Sequence, residues 1–329
     1  MLKEIRIGLL GCGVVGTGVI EVIEAKKEYI GQRLGVQFQI QRIAVRDVLR
    51  ERHPIVDKQK LCLHWSDVCT AEDVDIVIEV IGGATVAKDA VLTALRHGKS
   101  VITANKELMA RFGDEIRQTA AQHGAFVRHE ASVLGGIPVL STLETYFAMN
   151  QIRGLRGIFN GTSNFILTSM HQDGLSFEEA LNHAQVLGYA EADPSMDVDG
   201  IDAWYKLQII LDSLAVPQAK RVGPSATGIR GISPLDVYQA TQENAKVKHV
   251  VTAKWDAERD VVHCDVRPQR LDASDPLFHV DGVLNAICLE GDIVGDITLT
   301  GPGAGAYPTA SAVLEDLVKV VQSQAARSR

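Results

Sequence analysis

The sequence predicts an α/β protein of two domains, a parallel-sheet domain followed by an α+β domain, and three observations carry that expectation. Strand-like and helix-like stretches alternate over roughly the first 130 residues, the pattern of a parallel sheet covered by helices on both faces. The first strand runs into Gly11-Cys12-Gly13-Val14-Val15-Gly16, a glycine turn that opens a helix. Farther on, helices follow one another and then give way to alternating strands. At 329 residues, 46% hydrophobic and 22% charged, the chain is long enough for two buried cores.

Taken in order, Ile5-Arg6-Ile7-Gly8-Leu9-Leu10 reads as a buried strand, and apolar positions at helical spacing over 14–29 predict an amphipathic helix ending near Gly31. Strands are expected at 36–45, 74–81 and 100–103, and helices at 87–97 and 106–123, with Gly98 and Gly124 where helix-ending glycines belong. Ser176-Phe177-Glu178-Glu179 is a capping box opening a helix over 177–187, which Gly188 closes. A further helix is expected over the apolar stretch 203–215. Alternation at 247–255 and 261–266 predicts an antiparallel sheet within 247–300, and 310–322 reads as a final helix. The expected division is a dinucleotide-binding domain at 1–135, completed by the C-terminal segment 305–329, and a substrate-binding and dimerisation domain at 136–304.

The formal net charge of -8 argues against nucleic acid or an anionic membrane as the main partner, because both need a basic face. Cys12, Cys62, Cys69, Cys264 and Cys288 are odd in number and widely spaced, with no Cys-x-x-Cys pair and no histidine at metal-ligand spacing. Reduced thiols in a cytoplasmic protein are the expectation. Lys3 and Arg6 ahead of the apolar run 7–15 imitate a secretory signal, but no small-residue cleavage site follows. No segment reaches the ~18 uninterrupted apolar residues that cross a bilayer.

In the glycine turn, Gly11 permits the bend, Gly13 lets the backbone approach a pyrophosphate, and Gly16 lets helix and strand pack closely. At the end of the second strand an acidic residue would accept from a ribose 2'-hydroxyl, whereas an arginine would hold a 2'-phosphate. Val45-Arg46-Asp47 offers both; Arg46 comes first and Arg50 and Arg52 follow, so NADP is expected, with NAD the alternative. Ile102-Thr103-Ala104-Asn105-Lys106 ends a strand with polar residues at its carboxyl edge, where open α/β sheets bind ligands, although Lys106 could equally be an exposed helix-start residue. The loop from Glu130 to Pro138 and the turn Asn160-Gly161-Thr162-Ser163-Asn164 are polar breaks that helix capping alone could explain. Carboxylates crowd Gly188-Tyr189-Ala190-Glu191-Ala192-Asp193-Pro194 and Asp197-Val198-Asp199-Gly200-Ile201-Asp202. Lys206 follows one turn after Asp202, either as a salt-bridged surface group or as an ammonium placed for proton transfer.

Together with Gly-Ala-Gly-Ala-Tyr-Pro-Thr-Ala-Ser-Ala-Val from Gly303, these ordered motifs closely resemble homoserine dehydrogenase over nearly the whole chain. The resemblance implies a Rossmann-type domain and NAD(P)-dependent interconversion of L-homoserine and L-aspartate 4-semialdehyde. It implies Lys206 as the catalytic acid/base, with Asp202 and Lys106 beside it in the catalytic set. Glu191, Gly188 and Asp202 would contact substrate, while Gly11, Gly13, Val14, Val15, Gly16, Arg46, Lys106 and Gly305 would contact cofactor. It further implies a monovalent-cation site (Na+ or K+) at Glu130 and the carbonyls of Val133, Gly135 and Ile137, and a homodimer formed through the sheet-rich half. The extra C-terminal regulatory domain and the fused aspartate-kinase domain of some relatives are not expected, nor is feedback control of that kind.

Two other readings stay open. An enzyme like aspartate-semialdehyde dehydrogenase would need an activated cysteine with a nearby histidine, yet His263 and Cys264 alternate on a strand and face opposite ways. A non-catalytic dinucleotide-sensing protein would keep the Gly11 turn without the chemistry.

Overall fold

A computed structural model describes residues 2–224 and 226–327. The chain divides into two compact units, Met1–Gly136 with Ala304–Arg329, and Ile137–Gly303.

The first unit is built from β1 (Lys3–Leu10), α1 (Val14–Ala25), α2 (Lys27–Leu34), β2 (Val36–Ala44), β3 (Leu61–Cys62), α3 (Ser66–Cys69), β4 (Ile76–Glu79), α4 (Thr85–Arg96), β5 (Ser100–Thr103), α5 (Lys106–Gln122) and β6 (Val127–Arg128). The strands lie in the order β3-β2-β1-β4-β5-β6 with every neighbouring pair parallel. This is the Rossmann order, and it reverses between β1 and β4, so a ligand crevice opens at the carboxyl ends of those two strands. Strands buried on both faces read as apolar runs, and Ile7, Leu9, Ile76, Ile78 and Ile102 are fully buried. The last helix of the chain returns to this core through Val313, Leu317 and Val320.

The helix expected over 14–29 is two helices. α1 stops at Ala25, Lys26 leaves helical geometry at φ -105° and ψ 10°, and α2 continues through Gly31 to Leu34. Gly35, at φ 67°, is the glycine that ends the run. Gly31 is instead a packing glycine, since a Cβ there would come within 2.9 Å of Leu2 Cδ1. β4 is shorter than the expected 74–81 because the chain turns away through Gly82 and Gly83, both at positive φ.

The second unit holds α6 (Val139–Thr145), β7 (Ile152–Ile158), α7 (Gly161–Gln172), α8 (Phe177–Val186), α9 (Ser195–Val198), α10 (Ile201–Ser213), β8 (Arg221–Val222), α11 (Pro234–Gln242), β9 (Ala245–Asp256), β10 (Val261–Asp272), β11 (Leu284–Gly291) and β12 (Gly295–Pro302). Its sheet runs β12-β11-β7-β9-β10-β8, antiparallel except where β8 joins β10 in parallel. α7 and α8 pack through Ile166, Leu167, Phe177 and Ala180 into one core with Val247 of β9. Ser176 and Glu179 form the expected capping box, each side chain accepting from the other's backbone N–H.

Sequence reasoning missed β7, a central strand of this sheet. Its residues, Ile-Arg-Gly-Leu-Arg-Gly-Ile, carry two glycines and two arginines that dilute the strand pattern. Gly157 is there for close approach, because a Cβ would lie 2.4 Å from both Ala286 O and Phe159 Cε1. The final helix, α12 (Ala306–Arg327), begins before the expected 310 and tolerates Pro308 in its first turn.

Candidate active site

At the crevice of the first unit, Gly11 has φ 96°, and a Cβ on it would sit 2.8 Å from Val80 O, so the turn after β1 requires glycine. Gly13 is the N-cap of α1, and nothing lies within 4 Å of its Cβ direction. A helix start leaves its first N–H groups without an intrahelical partner, which suits a pyrophosphate. A Cβ on Gly16 would meet Gly11 O at 2.5 Å, so α1 packs directly on the turn. Val14 is exposed and Val15 half-buried in the first turn of α1. Gly305 has φ 120° and leads into α12, whose Ala306 O lies 3.1 Å from the Cβ position of Gly18 on α1.

Beyond β2, Arg46 is exposed. The neighbouring Asp47 is engaged with its own loop, its Oδ1 accepting from Leu49 N–H at 2.8 Å and Arg50 N–H at 3.2 Å.

A buried network braces the next strand ends. Glu79, fully buried at the end of β4, accepts from Thr103 Oγ1 at 2.5 Å and from Ile81 N–H at 2.9 Å. Thr103 Oγ1 accepts from Asn105 N–H, and Asn105 caps α5 by accepting from Leu108 N–H while donating to Gly83 O. Burial pushes the Glu79 carboxyl above the usual carboxylate range. Lys106, half-buried, is the first residue of the α5 that this network holds. Sequence reasoning passed over Glu79, whose signal is a carboxylate closing an otherwise apolar strand.

Glu130 is buried and its N–H donates to Asp316 Oδ2 of α12 at 2.7 Å. Burial, the largest effect, pushes Asp316 up to about 7. Asp316 was also missed, although a lone carboxylate on the apolar face of the last helix marks it. Val133 is buried and Gly135 adopts φ 54° in the same loop, while Ile137 opens the second unit.

In the second unit, α10 begins at Ile201 after Gly200 at φ 81°. It carries Asp202 and Lys206 one turn apart, 1% and 8% exposed, with Lys206 Nζ 2.9 Å from Asp202 Oδ2. Lys206 Nζ also donates to Phe159 O at 2.6 Å. The pair is therefore an interior ion pair, and the surface salt bridge that the sequence left open is excluded. Asn160, at the start of α7, donates to Asp202 Oδ2 at 2.9 Å. Gly188 (φ 77°) and Glu191 lie on an exposed segment after α8. Thr162 Oγ1 ties that segment to the start of α7 by donating to Tyr189 O at 2.6 Å. The start of α7 is thus tied to Asp202 through Asn160 and to the segment 188–191 through Thr162, whereas Lys106 and the glycine turn belong to the first unit.

None of the thiols sits in an activating environment: burial pushes all five above the ordinary cysteine value, Cys264 to about 11 and Cys69 to about 12. On β10, His263 is exposed while Cys264 is buried. An acyl-thioenzyme route is therefore not favoured.

Residues 11–130 match the family model described as homoserine dehydrogenase, NAD binding domain, and residues 138–318 match that of homoserine dehydrogenase. The chain belongs to the homoserine dehydrogenase family. It is 38% identical over 322 residues to homoserine dehydrogenase of Bacillus subtilis, an alignment covering 98% of this chain and 74% of that relative. The solved homoserine dehydrogenase of Thiobacillus denitrificans superposes with a TM-score of 0.92 at 38% identity, covering 98% of this chain and 74% of the other. A hyperthermophilic archaeal homoserine dehydrogenase solved in complex with NADPH gives a TM-score of 0.82 at 27% identity, covering 98% of each chain. The homoserine dehydrogenase reaction joins L-homoserine and L-aspartate 4-semialdehyde by oxidation and reduction at a CH–OH group, and the Rossmann unit is the nicotinamide-dinucleotide domain that it needs. Among the described residues, no helix is long and apolar enough to cross a membrane.

Proposed function

We propose that Lys206 is the acid/base of this homoserine dehydrogenase and that semialdehyde reduction is its working direction. The observation that carries the reading is the buried ammonium of Lys206, fixed by Asp202 at 2.9 Å and Phe159 O at 2.6 Å. Bound NAD(P)H supplies the hydride. As the aldehyde carbon is reduced, its oxygen gains negative charge, and Lys206 donates a proton to it from Nζ, to be reprotonated from water afterwards. Asp202 favours the charged ammonium that this direction requires. Asp202 and Glu191 supply negative charge for the substrate ammonium and hydroxyl, and Gly188 offers a backbone contact. Lys106, at the carboxyl edge of the parallel sheet, offsets the substrate carboxylate or assists the proton relay.

NADP is the proposed cofactor. Arg46 is exposed where a 2'-phosphate would lie, and the Asp47 carboxylate already accepts two backbone N–H groups of its own loop. Initial rates of semialdehyde reduction should favour NADPH over NADH, and Arg46→Ala should raise KM for NADPH about tenfold, the ~1.4 kcal/mol scale of one charge-assisted contact. A wild-type preference for NADH would contradict this.

The loop from Glu130 is proposed to hold Na+ or K+. A buried carboxylate with the carbonyls of Val133, Gly135 and Ile137 is a set of hard oxygen donors, which fits such an ion. Exchange into choline buffer should lower the unfolding temperature, with recovery on adding Na+ or K+; identical melting in choline would remove the site.

A homodimer through the sheet-rich unit is proposed as well. Tyr146, Met149 and Ile293 are well exposed apolar residues, and Asn150 Oδ1 accepts from Val294 N–H, which ties the segment after α6 to the β11–β12 turn. Sedimentation at micromolar concentration should give a dimer mass, and a monomer would refute the interface. The thiols, free among the described residues, fit a cytoplasmic location.

A further inference from the structure

Asn160 stands where three elements meet, and its carboxamide contacts have defined directions. It is 5% exposed. Its Oδ1 accepts from Ser163 N–H at 2.8 Å, which caps α7. Its Nδ2 donates to Asp197 Oδ1 of α9 at 2.7 Å and to Asp202 Oδ2 of α10 at 2.9 Å. The two ends of the amide cannot be exchanged, because a backbone N–H demands the oxygen and two carboxylates demand the nitrogen. Asp202 Oδ2 is thereby shared between Asn160 Nδ2 and Lys206 Nζ, each at 2.9 Å.

We infer that Asn160 is a positioning residue for the acid/base pair, orienting Asp202, and through it Lys206, with the same side chain that caps α7. It acts through Asp202 and needs no contact with substrate. Two consequences follow from the chemistry of the amide. Its two N–H groups lie between Asp197 and Asp202 and offset the repulsion of those like charges. Its rigid three-atom reach, from a helix cap to a carboxylate on another helix, fixes the Asp202 rotamer that a lone ion pair would leave free to turn. Behind it the packing is buried and polar: Ser163 Oγ donates to Asn160 O at 3.2 Å and lies 3.4 Å from His249 Nδ1, whose Nε2 is 3.0 Å from Thr227 O.

The inference rests on Lys206 being the acid/base, so the test runs Asn160→Ser and Asn160→Asp beside Lys206→Ala. Serine and aspartate are both good N-caps, and both lose the amide donors; aspartate adds a third carboxylate. Asn160→Ser should melt close to the wild type, Asn160→Asp should melt lower because its carboxylate is buried against Asp197 and Asp202, and both should remain folded and bind NADPH normally. For Asn160→Ser, kcat for semialdehyde reduction should fall about 10- to 100-fold, with KM changing far less, the scale expected of a small misplacement. Asn160→Asp should be slower still at about pH 8 and should gain on Asn160→Ser as pH is lowered to about 6. The reason is that a carboxyl facing Asp197, Asp202 and Lys206, with His249 behind Ser163, can donate once protonated. A purely structural cap would give neither the kcat loss in a folded protein nor the pH-dependent recovery. A folded Asn160→Ser with kcat within about twofold of wild type, while Lys206→Ala is inactive, would overturn this inference alone. Near-normal turnover by Lys206→Ala would overturn the acid/base assignment, and the positioning role with it.

Discussion

Lys206→Ala is expected to lower kcat for semialdehyde reduction by about 10²-fold or more, the usual range for loss of a general acid. Alanine also leaves Asp202 and Phe159 O in the interior without their ammonium. Removing one member of a buried pair costs about 3–5 kcal/mol, so activity must be read on protein shown to be folded. Lys206→Arg makes the cleaner companion. It keeps a positive charge beside Asp202, but a guanidinium does not give up its proton in a protein. Lys206→Arg should melt nearer the wild type than Lys206→Ala while remaining about as slow. Steady-state rates with saturating NADPH check this, and an active arginine variant would show that charge alone suffices.

The second large effect is expected at the glycine turn. Gly11→Ala places a methyl 2.8 Å from Val80 O at a residue with φ 96°. The turn cannot slide away, because Gly11 N–H donates to Ala44 O at 2.9 Å and Val80 N–H donates to Leu10 O at 2.8 Å. Strain of about 1–3 kcal/mol must therefore be met by distorting the surface that receives the pyrophosphate. Dissociation constants from NADPH titration should rise by about 10- to 100-fold, and the unfolding temperature should fall. Gly13→Ala separates the two effects, since its Cβ would meet nothing within 4 Å. It should retain wild-type stability and still lose cofactor affinity. Unaltered NADPH binding in both variants would mean that the dinucleotide lies elsewhere.

How far the sequence could be read depended on how local each determinant was. The parallel sheet was legible from β1 and its glycine turn because a buried parallel strand is a plain apolar run and the turn needs glycine at fixed offsets. β7 was not, since the need for glycine at 157 comes from Ala286 O and Phe159, which only the folded sheet brings close. The break at Lys26 escaped for a related reason: α1 and α2 carry one nearly continuous helical pattern, and Gly31 looked like a stop signal while serving as a packing contact to Leu2. At the site, the spacing of Asp202 and Lys206 announced a pair but not its burial, which is set by the elements that cover α10. Asn160 was visible as a cap because Ser163 lies three residues away; its other partners are 37 and 42 residues distant in the chain.

Chemical rescue tests the proton-transfer claim most directly. In the Lys206→Ala protein a small alkylammonium ion can enter the space vacated by the side chain and stand in for Nζ. With both substrates saturating, semialdehyde reduction should rise with alkylammonium concentration in the variant and stay unchanged in the wild type. A folded variant that binds NADPH and semialdehyde normally, yet turns over at the wild-type rate with no added amine, would contradict the role assigned to Lys206.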